Sequence, residues 1–164
     1  MRRVIFLDID GVLNSGFWND THQKEFSDGT LIDRDKIRRL ADLVRDTDAE
    51  IILHSGWRFW FDDAMRPLRI EAQRLVDLLE AEGIGLSGKT PDHSTEEIKR
   101  TKKFSLVKAG EILCWLEEHS EVKQWVVLDD LDIHSEEITI HQLKTDSSVG
   151  LTDEDIQKAA EMLS

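Results

Sequence analysis

The stretch that most constrains this chain lies near its start, where Val4-Ile5-Phe6-Leu7-Asp8-Ile9-Asp10-Gly11-Val12-Leu13 sets two acids at the end of an apolar run. A short run rich in β-branched residues is the pattern of a parallel strand buried on both faces. Carboxylates at the end of such a strand are costly to desolvate unless a positive charge meets them. The carboxyl ends of strands are also where ligands bind in open α/β sheets. An α/β fold with a charged site at the end of its first strand follows.

Further along, the pattern alternates between strands and helices. Residues 14–30 are polar, with glycines and a few aromatics, and suit a small flap over the strand ends. Asp33 is placed to cap a helix carrying Ile37, Leu40, Ala41 and Val44 at i, i+3, i+4, i+7. Ala49 to Leu53 is a second buried strand, so the first three elements form a strand–helix–strand unit. A long helical region is expected after Arg58, interrupted at Pro67, resuming near Ile70 and stopped by Glu82-Gly83.

Residues 85–90 suit a short strand and turn, and 91–103 an exposed connection. A helix from about Val107 presents Ala109, Ile112, Leu113 and Leu116, and Gln124 to Leu128 is a third strong strand ending in Asp129-Asp130. Ile138 to Leu143 alternates like an edge strand, and Thr152 caps a last helix through Leu163. With 164 residues and no linker, repeat or low-complexity segment, one domain over 1–164 is expected.

Composition narrows the function. Net charge is −13, which argues against gripping nucleic acid through bulk charge but leaves room for a local basic groove. The single cysteine, Cys114, cannot form an internal disulfide and is expected to be buried and inert. The apolar start is broken by Asp8 and Asp10, no run reaches transmembrane length, and a soluble cytoplasmic protein is expected.

Three strands now end in Asp8/Asp10, Ser55-Gly56 and Asp129/Asp130. Parallel strands place those ends along one edge, gathering four carboxylates and a hydroxyl. Like charges at short range disfavour ionisation, and a hard divalent cation on oxygen ligands relieves them. Lys108, near the start of the helix before the third strand, can add positive charge. A magnesium-dependent phosphoryl-transfer site is the chemistry that uses these parts together.

In this order of motifs the chain resembles the haloacid dehalogenase (HAD) superfamily of phosphatases. The pieces are Asp8-Ile9-Asp10-Gly11-Val12, Ser55-Gly56, Lys108 and Asp129-Asp130. It looks closer still to the compact, capless HAD domains associated with RNA-repair proteins, through FLDIDGVLNS (6–15), SGWR (55–58), GKTP (88–91), GEILCWL (110–116), VVLDD (126–130) and the TD…GLT of 145–152. The resemblance implies a Rossmannoid fold, a mainly parallel sheet flanked by helices, with a small flap and no large cap. It implies that Asp8 is the nucleophile that forms an aspartyl-phosphate and that Asp10 is the general acid/base. It further implies Mg²⁺ held by the Asp8 carboxylate, the Asp10 backbone carbonyl and Asp129 and Asp130, with Asp129 ahead of Asp130 as a direct ligand. Ser55, Lys108 and the backbone near Gly11 and Gly56 would then hold the phosphoryl group.

Several residues admit two roles. His54 is expected to be structural or a rim contact, and Lys99, Lys102 and Lys103 compete with Lys108 for the lysine position. Asp132 is expected in a solvated loop, and Arg58 can be a surface ion pair. Phe17 and Trp18 belong to the flap, while Trp57, Trp60, Trp115 and Trp125 are expected in the core. The basic run 99–103 is either a solvated loop or a contact for a substrate backbone.

With only residues 14–30 after the first strand, and no insertion between Lys108 and Asp129 long enough for a cap, the site is expected to be open. An open site favours a phosphorylated substrate too large to enclose, a nucleic-acid end or nucleotide ahead of a phosphoprotein or small metabolite. Two other classes compete. A receiver-type signalling domain carries its lysine after the last conserved strand, whereas Lys108 precedes Asp129-Asp130; a non-catalytic HAD-like binding module would have lost Asp8 or Asp10, and both are present.

Overall fold

A computed structural model describes residues 2–15, 32–96, 100, 105–133 and 135–164. Its centre is a five-stranded, wholly parallel sheet in the order β3-β2-β1-β4-β5. The strands are β1 (Arg2–Leu7), β2 (Glu50–Leu53), β3 (Leu86–Lys89), β4 (Val122–Asp129) and β5 (Gln142–Lys144). The helices are α1 (Arg34–Thr47), α2 (Ile70–Ala81), α3 (Ser105–Glu118), a single turn α4 (Glu136–Thr139) and α5 (Asp153–Leu163).

Strand alternation divides the core in two. Ile5, Leu7, Ile51, Leu53, Val126 and Leu128 face one side, against Leu40 of α1, Leu75 of α2 and Leu163 of α5. Val4, Phe6, Ile52 and Val127 face the other, against Ile112 and Trp115 of α3. Phe6 meets Trp115 and Trp125 edge-on, with ring centroids 5.4 and 5.9 Å apart. Each such pair contributes roughly 0.5–1.5 kcal/mol beyond its burial. Both tryptophans are thus core, as expected. Among the described residues no helix is long and apolar enough to cross a membrane.

Helix ends follow the sequence signals. The Asp33 side chain accepts from Asp35 N–H at the start of α1, and Thr152 and Asp155 form a reciprocal capping box on α5. Gly83, with φ of 78°, follows α2 where the expected stop lies.

Three expectations are corrected. The helical region expected after Arg58 is α-helical only in its second part, as α2: before it, Gly56–Trp60 is a 3₁₀ helix, and Phe61 and Pro67 form an isolated antiparallel bridge. Ile138 to Leu143 is not one strand, because Glu136–Thr139 is a helical turn and only Gln142–Lys144 pairs with β4. Ile138 is buried while Ile140 is 74% exposed, an arrangement a helical turn allows and a one-sided strand does not. On α3 the most buried face is Lys108, Glu111, Ile112 and Trp115, with Ala109, Leu113 and Leu116 only partly buried. Cys114 is therefore half-buried rather than in the core. The flap from 16 on, including Phe17 and Trp18, and Lys99, Lys102 and Lys103 of the connection lie outside the described residues.

The strand order places a switch at the centre of the sheet. From β1 the chain goes to β2 on one side, and later returns to β4 on the other. The crevice at the carboxyl ends of β1 and β4 is where this class of fold binds its ligands.

Candidate active site

Backbone hydrogen bonds continue past the strand ends and hold their loops in line. His54 N–H donates to Leu7 C=O (2.8 Å), Asp8 N–H to Leu128 C=O (3.0 Å) and Thr145 N–H to Asp129 C=O (3.0 Å). Asp8, Ser55 and Asp129 are thereby lined up along the carboxyl edge of the sheet.

Asp8, Asp129 and Asp130 bring carboxylate oxygens within 4.8 Å of one another. Asp8 is 7% exposed and Asp129 fully buried, with Asp130 half-buried beside them. Burial, followed by the charge of Asp129, holds the Asp8 carboxyl well above the usual carboxylate range, and Lys108 offsets this only in part. Burial and Asp129 likewise raise Asp130.

Lys108 Nζ lies 2.6 Å from Asp129 Oδ2 and 4.0 Å from Asp8 Oδ2. Burial opposes the ammonium charge, but Asp8 and Asp129 outweigh it and raise the Lys108 pKa. Asp129 Oδ1 accepts from Leu131 N–H at 2.9 Å, so both its oxygens have donors. An oxygen-only set of three crowded carboxylates is the donor chemistry of a hard divalent cation, and like-charge crowding is what such an ion relieves.

Asp10 is separate. Its carboxylate is exposed and lies outside the trio, facing Asn14 and Trp57 instead. The two aspartates of one strand end thus sit in different surroundings.

Gly11 has φ of 83°, and a Cβ there would collide with the Asp130 carboxylate. Only glycine lets the turn after β1 pass this close to the trio. Its carbonyl accepts from Thr145 Oγ1 (2.7 Å) and its N–H donates to Asn14 Oδ1 (2.9 Å). Ser55 caps the 3₁₀ helix, its Oγ accepting from Trp57 N–H at 3.1 Å, and Gly56 opens that helix with nothing within 4 Å of a would-be Cβ.

Arg58 is an ion pair, but a buried one. Its Nη2 lies 2.8 Å from Glu111 Oε2, and its Nη1 donates to the Ser55 carbonyl at 2.9 Å. Glu111, one helical turn after Lys108, also accepts from His93 N–H at 2.9 Å. The pair ties the Ser55 loop to the helix carrying Lys108.

Of the two places expected for His54, the rim is excluded. His54 is fully buried, its Nδ1 lies 3.2 Å from Thr90 Oγ1, and burial with nearby Lys108 and Arg58 holds it neutral by lowering its pKa. Asp132 is exposed and outside the trio.

The sequence expectations assign no role to Asn14, Glu111 or Thr145; Trp57 is core as expected, and its indole bond to Asp10 goes beyond that expectation. The i, i+3 spacing of Lys108 and Glu111 is the one signal that places a second charge on the same helix face.

The chain matches the model of one family, described as the HAD domain in Swiss Army Knife RNA repair proteins, over residues 4–156. Comparison with curated proteins and with solved structures gave no match. The matched span runs from β1 into α5 and takes in every strand-end acid, Ser55 and Lys108, so the chain belongs to this family of HAD domains.

Proposed function

We propose that the protein is a Mg²⁺-dependent phosphatase that hydrolyses a phosphate monoester through an aspartyl-phosphate on Asp8. The observation that carries this reading is the different placement of the acids. Asp8 stands in the buried trio beside the Lys108 ammonium, while Asp10 faces solvent outside it.

In the first step an Asp8 oxygen attacks phosphorus and the bond to the leaving oxygen breaks. Asp10, protonated, gives its proton to that oxygen. In the second step Asp10 takes a proton from water, the water oxygen attacks phosphorus, and the Asp8–phosphorus bond breaks to return the carboxylate. Ser55, the Lys108 ammonium and backbone N–H groups near Gly11 and Gly56 hold the phosphoryl oxygens. Mg²⁺ would be held by Asp8, the Asp10 carbonyl, Asp129 and Asp130, and would offset the repulsion between the carboxylate and the phosphate it attacks.

The substrate class is a nucleic-acid end or a nucleotide. Support comes from the family description, which places such domains in RNA repair proteins. With net charge −13 the grip on a phosphate backbone must be local, and the basic run 99–103 directly precedes the helix of Lys108. Purified protein is expected to hydrolyse p-nitrophenyl phosphate with Mg²⁺ and to stop on chelation. In a side-by-side panel, 3′- or 5′-phosphorylated oligonucleotides or nucleotides should exceed phosphopeptides and small esters in kcat/KM. Turnover confined to small esters would refute the substrate class.

The metal also has a readout apart from activity. Asp8 and Asp130 titrate above their unfolded value of about 4, so their contribution favours folding at low pH and is lost as pH rises through the raised values. At neutral pH the crowded trio therefore costs stability. Added Mg²⁺ is expected to raise Tm more at pH 8 than at pH 5, and Asp130→Asn to shrink that gain. An equal gain in the variant would put the ion elsewhere.

A further inference from the structure

Asp10 is exposed, yet both its oxygens are held by buried donors. Asn14 Nδ2 donates to Oδ1 at 3.0 Å and Trp57 Nε1 donates to Oδ2 at 3.3 Å. Asn14 is 3% exposed and Trp57 5%. An exposed aspartate ordinarily samples several rotamers, so two convergent donors from the interior restrict it.

Neither donor is free to turn away. Asn14 Oδ1 accepts the Gly11 N–H, and only the opposite amide edge, which donates, can then face Asp10. The Trp57 indole packs on Trp60 with centroids 4.8 Å apart, and its ring nitrogen is donor only. A carboxylate has about four acceptor positions, so two such bonds leave capacity for a leaving group or a water.

Trp57 also acts on the other side of the site. Its backbone N–H donates to Ser55 Oγ at 3.1 Å, which leaves the Ser55 hydroxyl hydrogen available to a phosphoryl oxygen. One residue thus fixes the hydroxyl proposed to bind the phosphoryl group and the carboxylate proposed to move its proton.

We propose that Trp57 and Asn14 are positioning residues that hold the Asp10 carboxylate in the rotamer from which it protonates the leaving oxygen and deprotonates water. This rests on the acid/base role given to Asp10 above. The Trp57 indole N–H has a purpose distinct from core packing, and Trp57→Phe, which keeps the backbone N–H, separates the two.

The test compares wild type, Trp57→Phe, Asn14→Asp and Asp10→Asn on two esters. p-Nitrophenolate leaves without needing a proton, whereas the alkoxide of glycerol 2-phosphate needs one. Because kcat/KM covers steps up to leaving-group release, Trp57→Phe and Asn14→Asp should each lose about 10–100-fold in kcat/KM on glycerol 2-phosphate, part of what a general acid contributes. On p-nitrophenyl phosphate the loss should stay within about 3-fold, with a burst of p-nitrophenolate because the water step is now slow. Asn14→Asp keeps the acceptor for Gly11 N–H, so it tests the other bond to Asp10 without the tryptophan cavity. Equal losses on both esters, or none, in the two variants would overturn the proposal while leaving the phosphatase reading standing. No leaving-group dependence in Asp10→Asn, or no turnover by wild type, would overturn that reading itself and this one with it.

Discussion

Asn in place of Asp8 is expected to abolish turnover, with kcat falling on the order of 10⁴-fold or more, as loss of a nucleophile does. The substitution removes the attacking oxygen's charge and leaves an amide of nearly the same volume, so packing around Leu7 and Ile9 is kept. It also removes one of three crowded acids. Burial and Asp129 already hold Asp8 above its usual range, so the variant should fold at least as well as wild type at neutral pH. Loss of activity with an unchanged or raised Tm separates a chemical role from a structural one. Wild-type turnover by Asp8→Asn would end the mechanism.

The second large effect falls on stability. Glu111→Gln leaves the Arg58 guanidinium buried at 6% exposure without its counter-charge, and removing one partner of a buried pair costs about 3–5 kcal/mol. Against a typical folding free energy of roughly 5–15 kcal/mol, that is a large shift in a urea midpoint. The pair is not itself an efficient source of stability, because Arg58 Nε is buried with no acceptor among the described residues. The double replacement Arg58→Met with Glu111→Leu should accordingly recover most of the lost stability. Turnover should not recover with it, because the Ser55 carbonyl loses its Arg58 donor and the loop its tie to the Lys108 helix. Recovery of both would make the pair a packing element only.

Which parts were legible in the sequence follows from how local their causes are. β1 could be read because a run buried on both faces is apolar throughout, and because parallel strands must end on one edge. Asp8, Ser55 and Asp129 followed from that edge, and Lys108 from its place near the start of the preceding helix. The contacts that shape the site were not legible. Trp57 reaches Asp10 across 47 residues of chain and Arg58 reaches Glu111 across 53, separations that packing sets and no local pattern carries. The apolar stripe of α3 does pack on the core, but it does not include the charges buried beside it. The inner face of α3 carries Lys108 and Glu111, charges that are buried only because Asp129 and Arg58 meet them. The stretch Ile138 to Ile140 alternates too briefly to separate a strand from a turn of helix, and Glu136 and Glu137 at its start favour the helix.

The central claim is that phosphate passes through Asp8. Acid quench during turnover of a radiolabelled phosphate ester, followed by digestion and peptide mapping, tests it directly. Label is predicted on the peptide containing Asp8, lost on hydroxylamine treatment and missing from Asp8→Asn. Steady turnover with no label on protein, or label on a peptide without Asp8, would contradict it.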